Sequence, residues 1–100
     1  MFKEFYEVVK SVPYGKVITY GTVALLAGYP RCAKFVGFAL HSNPDPQNIP
    51  CHRVVKKDGS LSPAFAFGGV ETHAQLLKNE GIEIDDKTHK VKNLTQYLYP

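Results

Sequence analysis

Residues 19–41 read TYGTVALLAGYPRCAKFVGFALH, and the way this stretch breaks into helices decides the fold. Thr19 offers a side-chain oxygen that can cap a helix running to about Ala27, with Val23, Leu26 and Ala27 facing inward. Gly28 closes that helix, and Pro30 suits the first turn of the next, where a missing N–H costs nothing. In the next helix Cys32, Val36, Ala39 and Leu40 form an apolar stripe, while Arg31, Lys34, Phe38 and His41 fall largely outside it. Two short helices joined by Gly-Tyr-Pro fit a helix-turn-helix; a plain helical hairpin fits too, and the pattern alone tilts slightly toward the hairpin.

Working outward, Phe2, Phe5, Val9 and Val12 recur at helical spacing, and Pro13 with Gly15 ends that first helix. Residues 16–20, KVITY, form a short extended piece. Residues 41–50, HSNPDPQNIP, are too rich in Pro and Asn for regular structure. RVVKKDGSLS (53–62) reads as a hairpin turning at Asp58-Gly59, which behind a helix-turn-helix gives a winged-helix shape. AFAFGG (64–69) is a loop. VETHAQLLKNEG (70–81) is a fourth helix with Ala74 and Leu77 inward and Gly81 at its end, and the tail is a second small hairpin with an aromatic terminus. The expected fold is therefore mainly α, a winged-helix-like helix-turn-helix domain with one or two short β-hairpins, in a single domain over 1–100.

The chain has 100 residues, enough for one modest core and too few for a large buried cofactor. Its net charge of +3 is compatible with nucleic acid and with much else. Two cysteines are fewer than a small secreted domain usually carries, and no apolar run reaches membrane-spanning length. These features point to an intracellular, reducing compartment and to no membrane partner.

IPCHRVV (49–55) sets Cys51 directly before His52, with Pro50 ahead and Arg53 behind. A free cysteine is most often a small buried hydrophobe. Beside an imidazole it is also a candidate nucleophile, since a base can take its proton directly or through water. On a strand the two side chains would point to opposite faces, so they cooperate only from a turn or helical segment. Glu80 is an acid available to orient the histidine. Cys32, His41, Cys51 and His52 have a spacing that fits no common structural zinc site, so no metal is expected.

The segments PYGKVITYGTVALLAG, NPDPQNIPCHRVV, DGSLS, FGG and LLKNEG, in this order and spacing, resemble the catalytic domain of the O6-alkylguanine-DNA alkyltransferases over nearly the whole chain. The N-terminal domain usual in that family has no counterpart in these residues. A monomer is the natural expectation, and the resemblance implies a protein that binds the minor groove of double-stranded DNA containing O6-alkylguanine, rotates the damaged base out, and transfers the alkyl group irreversibly to a cysteine without a cofactor. It implies Cys51 as alkyl acceptor, His52 as base acting through a water, and Glu80 as the acid orienting His52. Asn43 would brace the turn before the active segment, and Tyr20 would aid flipping and protonate the departing guanine. Arg31, Lys34, Leu40, Val54, Phe65 and Ala66 would contact DNA or the extruded base, and Arg53 would brace the fold.

Three positions depart from the family's pattern. Lys34 stands where an arginine usually fills the gap left by the flipped base, with Arg31 one turn earlier on the same helix. Ala64-Phe65 replaces Gly-Tyr, keeping a ring and losing a hydroxyl. Phe35 and Phe38 are bulky on a helix often lined with small residues. The length and aromatic tail are similar to those of alkyltransferase-like proteins, which bind alkylated DNA and flag it for other repair proteins, but which typically have tryptophan or alanine at the position of Cys51. An active alkyltransferase is the preferred reading, a lesion-binding module second, and a helix-turn-helix regulator third. Such a protein works beside DNA, in the cytoplasm or nucleoid of a prokaryote or the nucleus of a eukaryote.

Overall fold

The computed structural model describes residues 1–63 and 65–100. Helix α1 (Phe2–Ser11) buries Phe5 and Val9 and leads to buried Val12, whereas Phe2 stays partly exposed. Val12 is extended, as a residue before proline must be, and this ends the helix. Strand β1 (Ile18–Thr19) then runs into α2 (Tyr20–Leu26), whose start is capped by Thr19 Oγ1 accepting from the Thr22 N–H at 3.2 Å.

The buried stripe of α2 is Val23 and Ala24, flanked by half-buried Tyr20 and Ala27. This is the i, i+3, i+4, i+7 set, and it leaves Leu26, expected inward, half exposed. Pro30 also falls differently from expectation. Tyr29 to Cys32 form a turn closed by the Cys32 N–H on the Tyr29 carbonyl at 2.9 Å, and proline is favoured at its second position. Helix α3 (Ala33–His41) starts only after this turn, so Arg31 is not on the same helix as Lys34. Val36, Ala39 and Leu40 are buried as expected, and Phe35 and Phe38 face outward.

Irregular chain leads to a single 3-10 turn, Cys51–Arg53, and strand β2 (Val54–Val55). The Asp58-Gly59 turn forms, with the Gly59 N–H on the Lys56 carbonyl at 2.8 Å. The hairpin expected around it does not. β2 pairs in parallel with β1, Ile18 against Val54 and Thr19 against Val55. Both valines are fully buried, the mark of a strand covered on both faces. The other arm of the turn joins the tail instead, where Ser60 bridges to Lys90.

Helix α4 (Gly69–Asn79) turns Ala74 and Leu77 inward, and Gly81 follows it with a positive φ. β3 (Ile84–Asp85) and β4 (Lys90–Val91) make the expected antiparallel tail hairpin, and α5 (Leu94–Tyr97) follows. The aromatic terminus is pinned: the Val17 N–H donates to Tyr97 and the Tyr99 N–H to Val17, each at 2.8 Å.

Two apolar clusters result. Ile18, Val54 and Cys51 belong to the one beneath α1–α3; Val17 and Val55 belong to the one beneath α4 and the tail. The β1–β2 pair is the seam between them, and Cys51 lies along it. No helix among the described residues is long and apolar enough to cross a membrane.

Candidate active site

Pro50 has φ −76 and ψ 70, and the Cys51 N–H donates to the Ile49 carbonyl at 2.7 Å, an inverse γ-turn. The chain leaves that bend directly into the 3-10 turn carrying Cys51, His52 and Arg53, the irregular setting in which Cys and His neighbours can serve one site. Asn43 braces the approach from inside: Nδ2 donates to the Ile49 carbonyl and Oδ1 accepts from the Asp45 N–H, each at 2.9 Å.

Behind Cys51 stands a polar cluster around Glu80, which caps the end of α4. Its carboxylate lies 2.6 Å from His52 Nε2, accepts from Arg53 Nε at 3.0 and 3.1 Å, and accepts from the Gly15 N–H at 2.9 Å. Gly15 takes φ +81, a conformation glycine adopts without penalty, and this aims its N–H at the acid. Burial opposes ionisation of Glu80, but Arg53, His52 and Gly15 outweigh it and hold its pKa below the ordinary value. Arg53 also donates to the Val12 carbonyl at 2.9 Å and lies against the Tyr14 ring, tying α1 to the site.

A cavity of about 460 Å³ opens in front of Cys51, which is 6% exposed. Tyr20, Lys34, Leu40, Phe65 and Ala66, all expected at the base, line it together with Cys51. Val54 is fully buried in β2 and Arg31 is exposed in the α2–α3 turn; neither lines the cavity. Ala64, a point of departure from the family pattern, lies outside the described residues. Lys34 Nζ sits 6.0 Å from the centre of the Phe38 ring, and Phe38 also borders the cavity.

Burial pushes the Cys51 thiol pKa up, against the Asn43 side chain and the N–H groups of Cys51 and His52, which favour the thiolate. A 3-10 turn separates successive side chains by about 120°, and the His52 ring bonds to Glu80 rather than to sulfur. Burial, opposed by a hydrogen bond from Ser62, also raises the Tyr20 pKa, so its hydroxyl keeps its proton at neutral pH.

Sequence reading missed His73, which is 1% exposed and lines the cavity. Burial holds its pKa down to about 4. The available signal was spacing: His73 stands four residues before inward Leu77 and seven before Glu80.

A helix-turn-helix whose seam presents a buried cysteine, backed by a His–Glu–Arg cluster, to a cavity edged by the second helix defines a DNA-binding-domain class. Residues 1–82 match the family described as 6-O-methylguanine DNA methyltransferase, DNA binding domain, and the chain belongs to that family. It is 40% identical over 90 residues to the methylated-DNA–protein-cysteine methyltransferase of Mus musculus, covering 90% of this chain and 42% of that protein. It thus spans less than half the length of that curated relative. In structure it is similar to Schizosaccharomyces pombe Atl1 in complex with damaged DNA containing O6-carboxymethylguanine, with TM-score 0.84, 33% identity, and coverage of 99% of this chain and 94% of that one. It is also similar to the Mycobacterium tuberculosis OGT in complex with DNA, with TM-score 0.73, 32% identity, and coverage of 79% and 48%.

Proposed function

We propose that this chain, acting as one domain and as a monomer, binds duplex DNA through α2 and α3, draws an O6-alkylated guanine into the cavity, and accepts the alkyl group on Cys51. The observation that carries this reading is the Cys51 thiol at the wall of a cavity with the His52–Glu80 pair behind it. The thiolate attacks the alkyl carbon, an S–C bond forms, and the C–O6 bond breaks with its electron pair passing to guanine. Tyr20, which keeps its proton at neutral pH, protonates the departing base. The thiol's own proton leaves through a bridging water to His52, and solvent returns a proton from His52 to the Tyr20 phenolate, so the net transfer is from the thiol to guanine. The thioether is not cleaved, so each molecule reacts once, and the step uses no metal or organic cofactor.

The raised thiol pKa does not oppose this. A preformed thiolate is unnecessary if deprotonation and attack are concerted once the base fills the cavity and His52, held by Glu80, receives the proton.

A second reading, lesion binding without transfer, is favoured by length. The chain covers 93% of the Schizosaccharomyces pombe alkyltransferase-like protein 1, at 34% identity over 102 residues. A duplex carrying O6-methylguanine with a labelled methyl group separates the two. Alkyl transfer predicts label bound to protein in one-to-one amount, with no further uptake from fresh substrate. Label remaining in the DNA of a stable complex supports the second reading.

A further inference from the structure

The proposed reaction gives His73 no part, yet the ring is fully committed. Nε2 lies 2.7 Å from the His52 carbonyl oxygen, and Nδ1 lies 3.4 Å from the main-chain nitrogen of Ser62. A carbonyl only accepts and a peptide N–H only donates, so the ring is neutral with its proton on Nε2. The depressed pKa, near 4, agrees. One face of the ring stacks on Phe65, with centroids 4.7 Å apart and planes at 19°. A single imidazole therefore joins the turn carrying Cys51 to the loop carrying another wall of the cavity. Glu80 stands seven residues further on, about two helical turns. Helix α4 thus holds His52 twice: by the side chain from Glu80, and by the main chain from His73.

We propose that His73 is a positioning residue for the chemistry at Cys51: its Nε2–H fixes the His52 carbonyl and so holds the 3-10 turn that aims the Cys51 thiol, while its ring holds Phe65 as a wall for the planar base. A residue that merely filled space would need neither polar edge. The kinetic half of the inference rests on the alkyl-transfer reading; the thiol-titration half does not.

Two variants separate the two roles. His73→Phe keeps a flat ring against Phe65 and loses the donor; His73→Gln keeps a donor and loses the ring. On each, and on the parent, the pH profile of Cys51 modification by iodoacetamide is followed by peptide mass mapping, and Cys51 benzylation by free O6-benzylguanine is measured to saturation. In His73→Phe the His52 carbonyl loses its donor, the 3-10 turn loosens, and the His52 N–H, which lies in the preceding peptide, solvates the thiolate less well. Its thiol titration is expected to move up by about half a unit or more. Its maximal benzylation rate falls about tenfold, with half-saturating base within about twofold of the parent. In His73→Gln the titration holds, and half-saturating base rises about fivefold. Equal losses of rate and affinity in both variants, or no change in either, overturn the inference. If the parent takes no benzyl group, the pocket does not admit the free base, and the labelled duplex remains the test of the proposed function. The titration then decides on His73 alone, and an unchanged profile in His73→Phe overturns it.

Discussion

His52 and Glu80 are 28 residues apart in sequence and 2.6 Å apart in space, and the same carboxylate is held by Arg53 and by the Gly15 N–H. Three segments of chain, those of Gly15, of His52-Arg53 and of Glu80 itself, therefore meet at one acid. Glu80→Gln leaves Arg53 without its charge partner, and breaking a pair this buried costs about 3 kcal/mol. Urea unfolding is the check. The variant is also expected to transfer alkyl groups far more slowly, with DNA affinity nearly unchanged. A parent-like transfer rate would remove Glu80 from the proton path.

His73 makes stability depend on pH. The unfolded chain protonates this histidine near 6.5, and the folded chain only near 4. Folding excludes that proton, so the contribution is whole above 6.5 and is lost progressively as pH falls toward 4. Unfolding free energy of the parent is expected to decline across that window, and His73→Gln to flatten the decline. Equal slopes in parent and variant would contradict the buried neutral ring.

Lys34 and Phe38 lie one turn apart at the mouth of the cavity, with the ammonium over the ring. Apolar side chains wedge between bases in bent or opened duplexes, and lysine lacks the flat cation that stacks there. Phe38→Ala is expected to slow transfer from duplex DNA about tenfold or more, and Lys34→Ala to slow it less. Free O6-benzylguanine, which needs no flipping, should react at the parent rate in both. Single-turnover rates on the two substrates are the measurement. Equal effects on both would place these residues in the pocket or the fold rather than in the duplex.

Binding to DNA is expected to weaken with salt, with log affinity falling by about 0.9 per log unit of salt for each phosphate neutralised. A net charge of +3 allows few such contacts, so a shallow, non-zero slope in a titration is the expected result. A salt-independent affinity would contradict the proposed surface.

The parts of this molecule that follow local rules were readable in the sequence. Thr19 capping, the stop before Pro13, the tail hairpin and the stripe of α3 depend on nearest neighbours. What depends on long-range pairing was not readable. Val54-Val55 looks like half a hairpin, and only its burial on both faces shows that it belongs beside Ile18-Thr19. The same holds for the site. Cys51, His52 and Glu80 stood out by residue type and motif, while Arg53 on Glu80 and His73 on the His52 carbonyl required the fold.

The central claim is that Cys51 is an alkyl acceptor, and the most direct measurement is mass spectrometry after mixing the protein with a duplex containing a single O6-methylguanine. The account predicts a gain of one methylene in intact mass, mapped to the peptide carrying Cys51, retained in Cys32→Ser and absent in Cys51→Ser, which still binds the duplex. An unmodified Cys51 in protein that holds the lesion, or a methyl group found on Cys32, would contradict it.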